Sequence, residues 1–308
     1  MVDQLRAADI HRSVLLEETM SYLAPSSGGL YVDGTMGMGG HSEAILKRST
    51  PDGRLIALEW DEAAIALSQD RLRSYADRLT IVRENFANLP TVLNALGIRQ
   101  IDGLLIDIGL SSLQLDCGGR GFSFQRDEFL DMRMDQRQEK SAADLLAHAR
   151  EEELADIFYY YGDEEQSRPI AREIVQARMQ TPVTTSGQLA DIVARAIPKR
   201  FHPKKIHVAT KVFQALRVAV NRELENLSLI LDAAVPFLRP GARFCVISFH
   251  SLEDRMVKRK FREHSELKVL TSKPVMAGAD ELEQNPRSRS AKLRVAVRKG
   301  EPGQREEV

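Results

Sequence analysis

Short apolar runs alternate with amphipathic segments through the first third of this 308-residue chain. Leu30 to Val32, Leu55 to Leu58, Leu79 to Val82 and Gly103 to Ile106 predict buried strands, while Ala63 to Tyr75 and Pro90 to Leu96 predict helices. Such alternation implies parallel strands joined by crossover helices. From Ser141 to Ile197 the period changes. Leu145, Leu146, Leu154, Ile157, Phe158 and Tyr161 recur at helical spacing, as do Leu189, Ile192, Val193, Ala196 and Ile197, and no segment there resembles a strand. A long helical pattern resumes near Ala209 and runs through Phe213, Leu216, Val220, Leu224, Leu227 and Leu231. Pro240-Gly241 breaks it before a strand at Arg243 to Ser248. A polar, mobile loop is expected from Ser272 to Ser290, and a last strand at Leu293 to Val297. No internal repeat is evident. The pattern predicts an α/β domain in two parts, 1–112 and 209–308, that share one sheet and are separated by a helical insert at 113–208.

Composition adds little: 43% hydrophobic and 6% aromatic residues allow a substantial core. Cys117 and Cys245 stand far apart, so neither a disulfide framework nor a zinc ribbon is available, and no metal is expected. The N-terminus, Met1 to Glu18, lacks a signal-peptide core and no later run is long enough to span a membrane; a cytoplasmic location is expected. Charge changes the picture more. The net value is -1, yet Arg195 to Lys299 holds 23 Lys and Arg against 10 Asp and Glu. Clusters at Lys199, Arg200, Lys204 and Lys205, at Lys258, Arg259, Lys260 and Arg262, and at Arg287, Arg289, Lys292 and Arg294 predict a basic face for a polyanion.

The chemistry starts where the first strand stops. Leu30-Tyr-Val-Asp33 runs into glycines at 34, 37, 39 and 40, and Ser42 to Arg48 starts like a helix whose free N–H groups would face the same spot. Alone, such a loop is also compatible with a plain strand-to-helix connection. The second strand ends in Glu59, 22 residues after Gly37, where nucleotide-binding α/β folds hold ribose hydroxyls. The dinucleotide spacing fails, because the third glycine position falls on Ser42. Asp33 suits a ligand with a positive end better than a pyrophosphate. The ammonium and sulfonium of S-adenosylmethionine (SAM) fit that requirement, so Asp33, Gly37, Gly39, Gly40 and Glu59 read as a SAM site.

Seven ordered blocks carry a resemblance. They are Asp33-Gly-Thr-Met-Gly-Met-Gly-Gly-His41, Asp107-Ile-Gly-Leu-Ser-Ser112, Arg120-Gly-Phe-Ser-Phe124, Leu130-Asp-Met-Arg-Met134, Phe213-Gln-Ala-Leu-Arg217 with Asn221 and Glu223, Ile247-Ser-Phe-His-Ser-Leu-Glu-Asp254 and Asn285-Pro-Arg-Ser-Arg289. Together they resemble the ribosomal RNA small-subunit methyltransferase H family, also called MraW or RsmH, from about His11 to Val297. The resemblance implies a Rossmann-like class I SAM-dependent methyltransferase domain with an inserted all-helical domain that helps hold RNA. It implies N4-methylation of one cytidine in the decoding region of small-subunit (16S) ribosomal RNA, in an assembled or nearly assembled subunit, with S-adenosylhomocysteine as the product. Carried over by position, the cofactor contacts fall on Gly39, Gly40, His41, Glu59, Phe86, Asp107 and Gln114. The family commonly has Asp where this chain has Glu59.

Methyl transfer from a sulfonium needs no metal, so catalysis rests on positioning and electrostatics. A cytosine amino group needs a hydrogen-bond and proton acceptor. Many amino-group methyltransferases place an acidic or amide residue, two prolines and an aromatic after the fourth strand; here that stretch is Asp107-Ile108-Gly109-Leu110. Asp107 is the first candidate acceptor, with Ser111 and Ser112 as alternatives and a purely SAM-holding role for Asp107 left open. His250 and Phe249 follow a later strand at the same sheet edge. Phe249, Phe122 and Phe124 are candidates to stack on a base or to be core. His41 is expected to fix the loop, and His202 and His207 to lie near phosphate. Rival readings are a SAM-dependent methyltransferase on another substrate, an RNA-binding assembly factor without turnover and, weakest, a nicotinamide oxidoreductase.

Overall fold

The computed structural model describes residues 12–109 and 119–300. The described residues before 110 and from Glu225 onward form one compact unit, and those from 119 to Leu224 another.

The first unit is built on a seven-stranded sheet: β1 (Leu30–Asp33), β2 (Arg54–Leu58), β3 (Leu79–Val82), β4 (Ile101–Asp107), β5 (Leu238–Ser248), β6 (Leu267–Val269) and β7 (Lys292–Arg298), in the order β3-β2-β1-β4-β5-β7-β6. β1 to β5 pair in parallel and β7 runs antiparallel to β5 and β6. The expected sheet is therefore present, interrupted by the helical unit and completed after it. Both faces are covered, and the strands show it residue by residue. Val32, Ile56, Leu58, Leu104, Ile106, Phe244 and Val246 face one core with helices α4 (Leu89–Ala95), α10 (Glu223–Ala233) and α11 (Ser251–Glu263). The intervening Tyr31, Leu55, Ala57, Leu105, Cys245 and Ile247 face the other with α1 (Leu16–Leu23), α2 (Gly40–Arg48) and α3 (Glu62–Leu72). A strand buried on both faces reads as a continuous apolar run, which is why these four stood out in the sequence.

The second unit contains α5 (Ala142–His148), α6 (Glu151–Gly162), α7 (Ser167–Arg178), α8 (Ser186–Ala196) and α9 (Thr210–Asn221), and, as expected, no extended strand among its described residues. α5 and α8 start in capping boxes, Ser141 with Asp144 and Thr185 with Gln188. α9, expected to open the returning part of the α/β domain at 209, packs instead along α6. The two backbones approach closely at Gly162, where a Cβ would stand 2.6 Å from the Lys211 carbonyl oxygen.

Three further expectations are corrected. The long helix from Ala209 is two helices, because Arg222 ends α9 in a left-handed conformation, φ 51°. β5 begins at Leu238 and carries Pro240-Gly241 inside it, at an irregularity where the register with β4 shifts. The segment Ser272 to Ser290 is pinned: Val275 bridges to Leu293, Glu281 in α12 (Ala279–Gln284) accepts from Leu15 N at 2.7 Å, and Asn285 donates to the Arg12 carbonyl at 3.0 Å.

Candidate active site

The order of the sheet reverses between β1 and β4, and open α/β sheets bind ligands at the carboxyl ends of strands on such a line. Register places three acids there. Asp33 ends β1 level with Ala57 of β2 and Leu105 of β4, and Glu59 and Asp107 each stand two residues further on.

Asp33 is buried, with Oδ2 accepting from Ser42 Oγ at 2.7 Å and Oδ1 from Thr35 N at 3.1 Å. Burial lifts its carboxyl to about 6, against the opposing pull of the Ser42 and Thr35 bonds. Glu59 spans the glycine loop and the next helix: Oε2 accepts from Gly37 N at 2.8 Å and Oε1 from Asp61 N at 2.9 Å. Burial pushes it up to about 7, backbone bonds from Asp61, Gly37 and Trp60 pull it down and the charge of Asp61 adds to the rise. Asp107 is raised well above the usual carboxylate range, first by burial and then by the charges of Asp33 and Glu253. Its backbone N–H donates to Thr35 Oγ1 at 2.6 Å. Side-chain Oδ2 lies 3.7 Å from His41 Nδ1, and Oδ1 is sealed from solvent without a hydrogen-bond partner among the described residues. A buried acceptor left unmatched is costly unless something arrives to use it.

The glycine loop proves dense mainly for packing reasons. Gly39 caps α2 at φ 79°, and a Cβ there would come 3.1 Å from Leu72 of α3. A Cβ on Gly40 would strike Ser13 Oγ at 2.0 Å, and one on Gly34 would press on Phe86 at 3.2 Å. Gly37, whose N–H is held by Glu59, has open space beside it. Phe86 itself is part of the apolar core. His41 is buried, and its Nε2 donates to the Val14 carbonyl at 3.0 Å.

His250 occupies the N-cap of α11. Glu253, fully buried, accepts from the N–H groups of Phe249 at 2.8 Å and His250 at 3.2 Å, and its Oε1 lies 3.0 Å from His250 Nε2. This arrangement turns the chain after β5 so that the Phe249 ring lies against Gly109, where a Cβ would come within 3.1 Å of it and φ is 140°. His250 is thus engaged in capping beside the site. Ser111, Ser112 and Gln114 lie outside the described residues.

In the helical unit, Phe122 is buried under the Arg120 guanidinium, and Phe124 stacks on His207 at 4.5 Å and meets Phe213 edge-on. Asn221 joins the Leu130-to-Met134 block to α9: its Nδ2 donates to the Met132 carbonyl at 2.8 Å and its Oδ1 accepts from Met134 N at 2.7 Å. Of the basic clusters, Arg294 pairs with Asp254 at 2.6 and 3.1 Å and Lys260 with Asp232.

Ser42, Thr35, Ser13 and Glu253 were missed in the sequence. Glu253 had a readable signal, the N-cap-to-N3 spacing of a capping box, but His at the N-cap position disguised it.

The arrangement gathers three acids with raised carboxyls, Asp33, Glu59 and Asp107, beside the glycine loop, which suits a ligand with a positive charge. The sequence pattern of the MraW methylase family matches residues 8–299. The ribosomal RNA small subunit methyltransferase H of Desulfotalea psychrophila is 67% identical over 290 residues, covering 94% of this chain and 98% of that protein. That of Trichlorobacter lovleyi is 48% identical over 308 residues, with 94% and 98% covered.

Proposed function

Because this chain belongs to the MraW methylase family, we propose that it methylates the exocyclic N4 of one cytidine in the decoding region of 16S ribosomal RNA, drawing the methyl group from SAM. The enzyme is a SAM-dependent ribosomal RNA methyltransferase; the choice of one cytidine, its position and an assembled or nearly assembled subunit as substrate are what the proposal adds.

The buried Oδ1 of Asp107, without a hydrogen-bond partner among the described residues and at the carboxyl end of β4, carries the reading. The residues fit SAM because burial raises the carboxyls of Asp33 and Asp107, so that a positive charge placed beside them favours their ionised forms, and because Glu59 keeps unused lone pairs for ribose hydroxyls while its present bonds hold Gly37 and Asp61. When bound, SAM supplies an electrophilic methyl on a sulfonium. Asp33, Gly37, His41 and Glu59 would hold and orient it, with Gln114 as a further proposed contact.

Asp107 performs the acid-base work. Its Oδ1 accepts a hydrogen bond from the cytosine amino group, and the carboxylate takes the proton which that nitrogen loses as the N–C bond forms. A carboxyl raised well above the ordinary range is a better proton acceptor than an ordinary one. His41 supports it: the bond from Nε2 to the Val14 carbonyl puts the neutral ring's proton on that nitrogen and leaves Nδ1 facing Asp107. Phe249 offers its ring as a stacking surface for an extruded base, and Glu253 and His250 hold it in place. Ser111 and Ser112 stand as alternative acceptors.

No helix among the described residues is long and apolar enough to cross a membrane, and the proposed site of action is the cytoplasm, with the ribosome. Mass mapping of methylated nucleotides in small-subunit RNA, with and without the active protein, tests the reading. One cytidine gaining a methyl on N4 is the expected result; methylation on carbon or on another base overturns it.

A further inference from the structure

The helical unit carries a surface that its own fold does not use. From Ile192 to Arg222 the sequence has no Asp or Glu and eight Lys and Arg. Arg217 is committed to Glu223, Lys211 to the Asp163 carbonyl and Arg195 to Glu173. Lys199, Arg200, Lys204 and Lys205 are exposed, and no acid pairs with any of them among the described residues.

These four cations lie on a loop that is held at both ends. Lys199–Phe201 is a 3-10 turn in which Phe201 N bonds to the Pro198 carbonyl at 2.8 Å, and His202 Nε2 donates to the Ile197 carbonyl at 2.9 Å. At the far end His207 accepts from Ala209 N at 3.2 Å and stacks on Phe124. Between these staples Phe201 is 51% exposed, with the Arg200 guanidinium 4.8 Å from its ring centroid.

One exposed phenylalanine is ordinary. A fixed aromatic face under a guanidinium, flanked by unpaired lysines, is a different feature. Bases of single-stranded RNA stack on aromatic rings and guanidinium planes, and lysines beside them take the phosphates. A base inside a duplex is stacked on its neighbours and offers no such face.

We infer that residues 198–207 form a platform for single-stranded RNA, with Phe201 and Arg200 taking one unpaired base and Lys199, Lys204 and Lys205 the adjoining phosphates. This inference rests on the proposed function for its partner, since an enzyme of ribosomal RNA must hold RNA away from the reacting base as well as at it.

Binding of the full-length chain to a labelled, unstructured oligoribonucleotide of about 12 nucleotides and to a duplex of the same length tests it. Phe201→Ala is expected to weaken single-strand binding about tenfold and to leave duplex binding within about twofold, and Phe201→Trp to restore it. The double variant Lys204→Ala, Lys205→Ala is expected to weaken both and to flatten the single-strand salt slope by about 1.4. With ribosomal RNA as substrate, Phe201→Ala raises KM and keeps kcat. Single-strand affinity unchanged in Phe201→Ala, equal losses on both RNAs, or tighter binding to anionic phospholipid vesicles than to RNA each overturns the platform. Failure of the wild-type chain to methylate any RNA overturns the proposed function instead, because oligonucleotide binding is scored without turnover.

Discussion

Asp107 and Glu59 separate two tasks that the sequence presents alike, a carboxylate at the end of a strand. Glu59 has a backbone N–H donor on each oxygen, so it is a fixed brace between Gly37 and Asp61. Asp107 has a sealed oxygen with no partner among the described residues and two acids acting on it. Asp107→Asn keeps the shape, removes the proton acceptor and removes a charge that burial disfavours. Methyl transfer in a single turnover is expected to fall by about 10² to 10⁴, with SAM still bound and thermal unfolding no earlier than in the wild type. Transfer at the wild-type rate would give the acceptor role to another group, Ser111 or Ser112 first. For Glu59→Gln the amide nitrogen must face one of two N–H donors, so one brace bond becomes a repulsion. Losing a hydrogen bond to a charged group is worth about 1.5–3 kcal/mol, and calorimetric titration is expected to show SAM affinity lowered by about ten- to a hundredfold, with turnover at saturating SAM largely kept.

The elements divide into those whose periodicity is local and those that tertiary packing imposes. β1, β2 and β4 were legible because strands covered on both faces are apolar throughout, β3 because its short run at the sheet edge is still mostly apolar, and α5 and α8 because Leu145 and Leu146, and Leu189, Ile192 and Val193, recur at helical spacing. α11 was not, since its cap is a histidine and its exposed face is crowded with Lys and Arg. β6, three residues long, has too short a pattern to register. The break between α9 and α10 was hidden because apolar spacing continues through it; only Arg222 at φ 51° interrupts the helix, and nothing in its side chain demands that. Much of the candidate site was legible in the acids and the glycine loop, whereas the reason for the glycines was not: Ser13, Leu72 and Phe86 crowd them from distant parts of the chain. Asn221 illustrates the same dependence. It holds Met132, buried at φ 55°, and Met134 through contacts 89 and 87 residues away in sequence. Asn221→Ala leaves a buried carbonyl and a buried N–H unmatched at roughly 1–3 kcal/mol each, less any relaxation. Thermal unfolding is expected to come several degrees earlier, and an unchanged midpoint would mean that this strained turn supports itself.

The raised carboxyls couple folding, cofactor and pH across the α/β unit. Asp33 is lifted from 3.8 to about 6 and Glu59 from 4.5 to about 7. An acid whose folded value exceeds its unfolded one binds protons more tightly when folded. Its stabilising contribution is therefore full below the unfolded value and is lost as pH rises through the folded value. The free protein is expected to lose stability between about pH 4 and pH 7, then to level off. A cation brought against Asp33 and Asp107 favours the ionised forms and drives protons off. SAM binding is thus expected to release protons at and just below about pH 6, the free value of Asp33, and to tighten as pH rises through that range. S-adenosylhomocysteine keeps the ammonium and ribose but lacks the sulfonium charge, so its affinity should climb less steeply. Calorimetry in two buffers of different ionisation enthalpy measures the proton count directly. Release on binding SAM, larger than on binding the product, is the expected outcome, and it would make methyl transfer itself weaken the hold of these acids on the spent cofactor. Proton uptake, or equal release for both ligands, would mean that the sulfonium lies away from Asp33 and Asp107, and the placement of the methyl group beside the proposed proton acceptor would fall with it.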